Sequence, residues 1–381
     1  MKSPYLPGAT IGVMGGGQLG RMFAVAARRM GYRVHIFTPE DDSPAGQFAD
    51  LTRIAQLGNE AAVRQFAAEV DVITFEFENI PIETVKWCEE ERDVRPSGTI
   101  LHLAQNRLRE KNFLAGAGVP VAPFKAVRSA HELESALEQI GRPAILKTAA
   151  FGYDGKGQQM INTREDFDEI WSGTSADEMV LEGVIDFEKE ISVIVARGVD
   201  GVMATFPACE NLHENHILDV TMVPARVSPK VESAAAELAR AIAEKMELVG
   251  LLAVEMFLKK NGELVVNELA PRPHNSGHWT IEACATSQFE QQVRAVCGLP
   301  LGSTEILRPA AMANILGDFW KGGEPNWTKA LEGAGVHLHL YGKREPRPRR
   351  KMGHLTALAD TVETAMQRVT DARAALRTPV S

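Results

Sequence analysis

The chain has 381 residues, and its 45% hydrophobic and 24% charged content is typical of a globular protein of two or three domains. Its net charge of -9 argues against a protein that coats nucleic acid or an anionic membrane through bulk positive charge. No stretch offers about 18 uninterrupted apolar residues for a membrane span. The four cysteines lie far apart without a Cys-x-x-Cys pair, which disfavours a disulfide framework or a zinc ribbon and favours a cytoplasmic location.

Short apolar strands alternate with helices in the first hundred residues. The predicted strands cover 10–14, 33–37 and 72–75. Helical spacing of apolar residues covers 19–30, 59–69 and 81–91. This alternation predicts a doubly wound parallel sheet, and we assign residues 1–98 to this α/β domain.

A second domain, residues 99–303, is predicted to be α+β. It opens with one helix over 99–117, after which strands dominate. The helices that interrupt these strands lie at 132–140 and 231–247. Such a mixed order does not continue a parallel sheet.

The last region, residues 304–381, is small for an independent domain. Its predicted strands cover 311–316 and 336–340, and an Ala-rich helix follows Asp360. We therefore expect a β-rich region that packs on its neighbours.

A glycine loop follows the first strand. Gly15, Gly17 and Gly20 fit the pattern G-x-G-x-x-G and open a helix, an arrangement that can bind phosphate through backbone N–H groups. Glu40 follows the second strand at about the spacing of an acid that holds an NAD ribose. A dinucleotide oxidoreductase and simple tight strand-to-helix packing are both open interpretations of this loop.

A second glycine-rich stretch, 152–158, follows an apolar strand that ends at Lys147. Three glycines and a lysine within seven residues make a loop suited to anions. The spacing does not fit a Walker P-loop, and an ordinary hairpin loop is the alternative.

Two glutamates can be brought together by strand register. Strands at 253–258 and 264–269 flank an Asn-Gly pair, the strongest short hairpin signal. A two-residue turn at Asn261 and Gly262 puts Glu255 opposite Glu268, with Cβ atoms about 5 Å apart. Such a pair suits a divalent cation bound to phosphate oxygens, whereas the alternative is two solvent-facing glutamates. Asn267 points to the other face unless the strand bulges.

These motifs, in this order, resemble ATP-grasp enzymes, and in detail the N5-carboxyaminoimidazole ribonucleotide synthetases of purine biosynthesis. The most specific stretches are 15–20, 75–79, 152–158, 267–280 and 341–354. The resemblance implies an N-terminal doubly wound domain, a central ATP-grasp domain, a small C-terminal β-rich domain and a homodimer. It also implies that ATP phosphorylates bicarbonate to carboxyphosphate, which carboxylates the exocyclic amine of 5-aminoimidazole ribonucleotide and leaves ADP and phosphate.

The resemblance also implies the site residues. The ATP-binding set is Arg107, Lys147, Gly152, Tyr153, Asp154, Gly155, Lys156, Gly157, Gln158, Glu182, Gly183, Val184, Ile185, Glu190, His213, Asn267 and Glu268. Glu255 and Glu268 match the Mg²⁺ carboxylates, in agreement with the register argument. The ribonucleotide-binding set is Gln18, Leu19, Glu76, Asn275, Ser276, Lys343 and Arg350, and the catalytic set is Arg272, His274, Tyr153 and Lys351.

The tail departs from the family in one position and admits other interpretations. Residues 343–351 hold six basic residues in nine, which alone could indicate a solvated loop, a nucleic-acid patch or a nuclear signal. Arg349 stands where the family usually has glycine. The competing functions are another ATP-grasp ligase, formate-dependent or biotin-carboxylase-like, and an NAD-dependent oxidoreductase or nucleotide sensor, which would not need the glutamate pair.

Overall fold

The computed structural model describes residues 3–150, 157–163, 166, 171 and 178–377. The strands are β1 (Thr10–Met14), β2 (Arg33–Thr38), β3 (Leu51–Ile54), β4 (Val72–Phe75), β5 (Asp93–Val94), β6 (Phe124–Val127), β7 (Ala144–Thr148), β8 (Gln158–Ile161), β9 (Met179–Gly183), β10 (Lys189–Arg197), β11 (Met203–Thr205), β12 (Cys209–Glu214), β13 (Ile217–Val223), β14 (Gly250–Leu258), β15 (Leu264–Ala270), β16 (Ala310–Leu316), β17 (Val336–Leu340) and β18 (Lys351–Leu358). The described α-helices are α1 (Gln18–Arg29), α2 (Glu60–Ala68), α3 (Ile82–Glu91), α4 (Gly98–Ala104), α5 (Arg107–Gly116), α6 (Ala130–Ile140), α7 (Pro229–Lys245), α8 (Thr280–Ala283), α9 (Gln288–Cys297), α10 (Trp327–Ala330) and α11 (Val362–Ala375). In these described ranges, no helix has the length and apolar character of a membrane span.

The N-terminal sheet is parallel and has the strand order β3-β2-β1-β4-β5. The doubly wound prediction is confirmed, although β3 and β5 were not predicted. Both carry too few apolar residues for the periodic pattern to identify them. Because the strands are parallel, the loops after β1, β2 and β4 meet at one edge, where ligands bind in such sheets.

The predicted single helix over 99–117 is wrong, since the chain forms two helices, α4 and α5. Asn106 lies at the break, and its side-chain oxygen accepts a hydrogen bond from the Arg109 N–H at 3.0 Å as an N-terminal cap. The Arg107 N–H donates to the Ala149 carbonyl oxygen at 2.7 Å. The break therefore fixes the start of α5 against the end of β7.

Two antiparallel sheets form the central region. The smaller has the order β6-β9-β7-β8, and the larger has the order β15-β14-β10-β12-β13-β16-β18-β17, with β11 paired to β10. α7 packs on the larger sheet through Ala235, Ala239 and Ile242, which share a core with Val193 and Val254. The α+β prediction is confirmed.

The C-terminal region extends the larger sheet instead of forming its own. β13 pairs with β16, and β18 and β17 follow outward. In the other direction, α9 packs on the N-terminal domain, where Phe289 and Val293 lie in the same core as Leu19. The boundaries at 98 and 303 stay predictions.

Candidate active site

The predicted glutamate pair lies in the antiparallel hairpin of β14 and β15. Glu255 pairs with Glu268, so both side chains leave the same face of the sheet. The pairing predicted from register is therefore confirmed.

Two deviations from the predicted hairpin cancel each other. The predicted two-residue turn is wrong: Gly262 has a φ of 85°, and the Lys259 N–H bonds the Glu263 carbonyl oxygen at 2.9 Å, which adds one residue to the turn. Asn267 is the extra residue of a bulge beside Glu255, and the bulge shifts the register back. It also supplies the distortion that a ligand role for Asn267 requires.

Glu255 is held by a histidine from the segment after β15. His274 Nε2 lies 3.0 Å from Glu255 Oε1. Burial alone would raise the pKa of Glu255, but the hydrogen bond to His274 and the nearby positive charge of Lys351 lower it to about 2. The carboxylate is therefore ionised at neutral pH, as a metal ligand must be.

Three cations and two carboxylates gather beside this pair. Arg107 Nη1 lies 3.1 Å from Glu268 Oε2. The Nζ atoms of Lys147 and Lys111 lie 2.9 and 3.3 Å from the same oxygen of Glu182. Burial lowers the pKa of Lys147 although Glu182 opposes this, and Arg107 and Lys111 add to the lowering. Such a concentration of buried positive charge is suited to phosphate groups.

Sequence reasoning missed two members of this cluster, Glu110 and Lys111. They follow Arg107 on α5 by three and four positions, the spacing of side chains on one helix face, and that spacing is the signal that could have found them. Glu110 Oε2 accepts a hydrogen bond from the Leu269 N–H at 3.2 Å. Burial, together with the charge of Glu268, raises the pKa of Glu110 to about 8.

The region between the glutamate pair of the larger sheet and Lys147 of the smaller sheet, called the cleft below, continues along the sheet face of Glu255 to an ion pair and two aromatic rings. His213 lies at a bulge in β12, and its Nδ1 is 2.7 Å from Glu190 Oε2. Burial would lower the pKa of His213, but Glu190 raises it overall. Phe257 pairs with Glu190 across the strands, and its ring stacks on Phe187 with centroids 4.6 Å apart. This apolar surface beside a carboxylate suits a nucleoside, and the sequence did not reveal it.

The remaining predicted ATP contacts lie on strand ends around the cleft. Gly183 ends β9, and Val184 and Ile185 follow it, with Val184 exposed. The Gly157 carbonyl oxygen accepts a hydrogen bond from the Thr148 N–H at 2.8 Å. Gln158 begins β8 opposite Lys147. The predicted residues that lie outside the described part of the chain are Gly152, Tyr153, Asp154, Gly155 and Lys156.

The first glycine loop uses its backbone N–H groups inside the protein. The Gly17 N–H donates to Glu76 Oε1 at 2.5 Å and the Gly20 N–H to Glu76 Oε2 at 3.1 Å. A Cβ atom on Gly17 would lie 2.5 Å from Glu76 Oε1, so glycine is required for this approach. Burial raises the pKa of Glu76 despite these two bonds. Glu76 therefore holds the loop through both carboxylate oxygens, and its predicted hydrogen bonds to substrate stay a prediction.

Arg272 lies between the glutamate pair and this loop. Its Nε is 2.5 Å from Glu78 Oε1, and Glu78 follows β4 beside Glu76. Burial would lower the pKa of Arg272, but the carboxylates of Glu78, Glu268 and Glu76 raise it. The guanidinium is therefore within electrostatic reach of both ends of the cleft.

The C-terminal tail adds positive charge near Glu76. Lys343 Nζ donates to the Lys351 carbonyl oxygen at 2.7 Å. Burial and the charges of Arg350 and Lys351 lower the pKa of Lys343 to about 8, while Glu76 opposes the change. The predicted residues Lys343, Arg350 and Lys351 are thus brought together, with Lys343 near Glu76 and Lys351 near Glu255.

Arg349 has a backbone conformation that favours glycine. Its φ is 65°, in the left-handed region. Its N–H donates to Asp318 Oδ2 at 2.6 Å, and its guanidinium donates to the Asn215 carbonyl oxygen at 2.9 Å. Arg349 lines a cavity of about 1310 Å³, which, among the described residues, is lined by none of the predicted site residues. The side chain is thereby directed away from the cleft.

Three predicted substrate ligands have side chains that are used inside the fold. Asn275 exchanges hydrogen bonds of 3.1 and 2.8 Å with Asn314. Ser276 is fully buried, and Leu19 packs in the N-terminal core. These side chains have structural roles, and the predicted substrate contacts of the three residues stay predictions. Gln18, at the start of α1, is partly exposed at the loop.

The chain is similar to proteins of known identity over nearly its whole length. It is 45% identical over 370 residues to N5-carboxyaminoimidazole ribonucleotide synthase of Bacillus subtilis (strain 168), covering 97% of both chains. It is 46% identical over 372 residues to the bifunctional purine synthesis protein of Dictyostelium discoideum, covering 92% of this chain and only 37% of that protein. The crystal structure of N5-carboxyaminoimidazole synthase from Aspergillus clavatus with ADP and 5-aminoimidazole ribonucleotide superposes with a TM-score of 0.88 at 33% identity, covering 97% and 99% of the two chains.

A cleft between two antiparallel sheets, with a carboxylate pair beside buried cations, is the architecture of an ATP-grasp ligase. The sequence matches the ATP-grasp domain over 112–289, the ribonucleotide synthetase preATP-grasp domain over 8–105 and the phosphoribosylaminoimidazole carboxylase C-terminal domain over 310–368. The chain belongs to the N5-carboxyaminoimidazole ribonucleotide synthases, and it is an ATP-dependent ligase of purine biosynthesis.

Proposed function

We propose that this ligase joins bicarbonate to the exocyclic amine of 5-aminoimidazole ribonucleotide in two steps. ATP first phosphorylates bicarbonate and gives carboxyphosphate and ADP. The amine nitrogen then bonds to the carboxyl carbon while the bond from that carbon to the phosphate oxygen breaks, and the nitrogen loses a proton. The observation that carries this proposal is the position of Arg272, which contacts Glu78 near the glycine loop and interacts with Glu268 of the carboxylate pair.

The nucleotide roles follow from the charges in the cleft. Arg107 and Lys147 bind the ATP phosphates, because a polyphosphate can take the place of the carboxylates that these cations now face. Glu190 accepts hydrogen bonds from the ribose hydroxyls, and His213 lies beside it. The loop 152–158 closes over the phosphates and excludes water, which matters because carboxyphosphate is easily hydrolysed.

Mg²⁺ suits the donors at Glu255 and Glu268. Hard cations prefer carboxylate and amide oxygens, and Asn267 at the bulge adds an amide oxygen. Within the described residues, no group of three or more His, Cys, Asp or Glu could hold a metal, so phosphate oxygens and water would complete the coordination. When bound, Mg²⁺ neutralises charge on the phosphates during transfer.

The bicarbonate site is formed by Arg272 and His274. A guanidinium can hold a planar anion through two parallel hydrogen bonds and stabilise the charge that develops on carboxyphosphate. Tyr153 and Lys351 complete the proposed catalytic set.

The ribonucleotide binds at the glycine loop and the tail. Lys343 and Arg350 pair with its phosphate, because the backbone donors of Gly17 and Gly20 are already occupied. Gln18 contacts the ligand from the start of α1. Glu76 acts indirectly by holding the loop in place.

We further propose that the enzyme is a cytoplasmic homodimer. All four cysteines are free and buried, which suits a reducing compartment. The edge strand β3 exposes Leu51 and Ile54, and an apolar sheet edge favours a second subunit. Sedimentation equilibrium tests the assembly, and a monomer at micromolar concentration would contradict it.

The reaction is tested by measuring ADP release while each substrate is omitted in turn. The full rate should require ATP, bicarbonate and 5-aminoimidazole ribonucleotide together, with one ADP formed per ribonucleotide carboxylated. An enzyme that turns over ATP without regard to the ribonucleotide and bicarbonate, or that needs formate, would overturn the proposal.

The role of Arg272 is tested by Arg272→Ala and Arg272→Lys. Turnover should fall by roughly 100-fold in the alanine variant, since a transition-state contact is worth on the order of 3 kcal/mol, and Arg272→Lys should restore little because it lacks the planar fork. Affinity for MgADP should not change. Arg308→Ala, at an exposed arginine paired with Asp360, is the matched control. A large loss of ADP affinity in Arg272→Ala would count against the assignment.

A further inference from the structure

A buried line of polar side chains ends at His274, the residue that holds Glu255. We propose that this line orients His274 on Glu255 by directing a hydroxyl donor at Nδ1 of the imidazole, beside a backbone N–H, so that Nε2 carries the ring proton. Its four members, called the relay below, are Thr221, Asn211, Ser192 and Ser276. The inference rests on the proposed role of Glu255 as a metal ligand, and the relay residues are positioning residues that contact no substrate.

Each relay residue donates a hydrogen bond to the next. Thr221 Oγ1 donates to Asn211 Oδ1 at 2.9 Å, and Asn211 Nδ2 donates to Ser192 Oγ at 2.9 Å. Ser192 Oγ donates to Ser276 Oγ at 2.8 Å. The one proton of the Ser192 hydroxyl is therefore used toward Ser276, and the one proton of the Ser276 hydroxyl is left for the next acceptor.

That acceptor is Nδ1 of His274. Ser276 Oγ lies 2.9 Å from Nδ1, and the Ser276 backbone N–H donates to the same atom at 3.3 Å. A backbone N–H can only donate, so Nδ1 carries no proton, and the ring proton lies on Nε2. Nε2 is the atom 3.0 Å from Glu255 Oε1, and the histidine therefore donates to the carboxylate.

The sheet fixes the relay in position. Ser192 pairs with Glu255 between β10 and β14, and Asn211 pairs with Thr221 between β12 and β13. Ser192, Thr221 and Ser276 have no exposed surface, and Asn211 is 5% exposed. The neighbouring Cys209 thiol, 3.1 Å from Ser192 Oγ, can donate to the Ser192 carbonyl oxygen at 3.4 Å and so leaves the relay intact.

The fold alone does not require these polar residues. Apolar side chains of similar size would satisfy a buried sheet face without the desolvation that polar groups incur. The relay instead satisfies its members one after another and ends on a single acceptor atom. In metal sites, the partners that orient a ligand typically change metal affinity about 10- to 100-fold when they are lost.

The first test uses the ligand-free wild-type enzyme with ¹⁵N-labelled histidine. The imidazole signals of His274, assigned by their loss in His274→Gln, should show a single neutral tautomer with the proton on Nε2. A proton on Nδ1, or a mixture of the two tautomers, would overturn the proposal without any relay variant.

The second test compares Ser276→Ala with Ser192→Ala. Ser276→Ala removes the shorter of the two hydrogen bonds to His274 Nδ1 and leaves the backbone N–H bond, so the tautomer should be kept while the ¹⁵N shift of Nδ1 changes and the ring is held less firmly. The Mg²⁺ concentration needed for half-maximal ADP binding should rise about 10-fold. Ser192→Ala leaves the Ser276 hydroxyl in place and should change both quantities less. Unchanged nitrogen shifts in folded Ser276→Ala would overturn the relay.

A matched control loses a buried hydroxyl elsewhere. Thr84 is fully buried and donates to the Leu57 carbonyl oxygen at 2.7 Å, so Thr84→Val should lower thermal stability without changing the His274 signals or the Mg²⁺ requirement. Glu255→Gln separates the two proposals. If it leaves the Mg²⁺ dependence of ADP binding unchanged, the metal role of Glu255 fails, whereas the His274 nitrogen shifts in Ser276→Ala still test the relay.

Discussion

The two ends of the cleft present positive charge to anions in different ways. At the nucleotide end, Arg107 is partly buried and Lys147 is buried, and both face carboxylates that a polyphosphate can replace. At the other end, the glycine loop after β1 has the sequence of a phosphate loop, but Glu76 already accepts the N–H groups of Gly17 and Gly20. We therefore expect side chains of the tail, above all Lys343, to bind anions there.

The comparison separates a loop's sequence from its use. A glycine pattern indicates that the backbone approaches another group closely, and here that group is a carboxylate of the protein. The tail can supply the missing charge because β18 and β17 lie in the same sheet as β14 and β15, the hairpin that carries Glu255 and Glu268. The two ends should therefore respond to mutation separately.

The largest effect is expected from Glu268→Gln at the nucleotide end. Turnover should fall at least about 100-fold, because one of the two proposed metal carboxylates is lost and several kcal/mol of charge stabilisation go with it. Affinity for 5-aminoimidazole ribonucleotide, measured by calorimetry, should change less than about twofold. Glu263→Gln, at the exposed turn of the same hairpin, is the control. Wild-type turnover in Glu268→Gln would refute the metal assignment.

Gly17→Ala is expected to weaken ribonucleotide binding and leave nucleotide binding unchanged, which is the opposite of the pattern expected for Glu268→Gln. The new Cβ would lie 2.5 Å from Glu76 Oε1 and displace the carboxylate that holds the loop. The KM for the ribonucleotide should rise about 10-fold, and the free energy of unfolding should fall by about 1–3 kcal/mol. ADP affinity should stay constant. Gly58→Ala is the control, since no atom lies within 4 Å of its Cβ position. An equal loss of ADP affinity would show that the ends are not separate.

A smaller effect is expected on the pH dependence of ribonucleotide binding, through Lys343. The pKa of this lysine is lowered to about 8, so the ammonium is charged below pH 8 and loses its proton above it. The KM for the ribonucleotide should therefore rise between pH 7.5 and pH 9.5, at most about 10-fold per pH unit above the pKa. Lys343→Arg keeps its charge and should flatten the rise. A profile that is identical in both enzymes would exclude Lys343 from phosphate binding.

The smallest effect is expected from Arg349→Gly, which should affect neither end. Glycine adopts a φ of 65° without the penalty of a side chain, so urea unfolding should show a gain of about 0.5–1 kcal/mol. Arg347→Gly, in the same basic segment, is the matched control and should destabilise the protein slightly. A variant at position 349 that is no more stable than the control would argue against strain at this position.

The sequence predicted the architecture and the facing glutamates better than the local geometry that produces them. The parallel order of β1, β2 and β4 follows from alternating apolar strands and helices. The pairing of Glu255 with Glu268 is correct, yet it results from two features that no periodic pattern contains, a longer turn and the bulge at Asn267. Each depends on backbone conformation and long-range packing.

The direction in which a side chain points was also beyond the sequence. Asn275 and Ser276 follow Arg272 and His274, which we propose bind bicarbonate, but the short turn that follows β15 buries both side chains. The hydrogen bonds that Glu76 accepts likewise depend on how closely the loop after β1 approaches the loop after β4. Such contacts between segments far apart in sequence are set by the assembled fold.

The continuous nine-stranded sheet also limits how the protein can be divided. A chain cut between 303 and 304 would lose β16, β17 and β18 and leave β13 with a row of unpaired N–H and C=O groups. The freed edge would be a template for strand addition between molecules. The C-terminal region is consequently no detachable module, and truncation or fusion at this boundary would expose an aggregation-prone surface on the nucleotide-binding part.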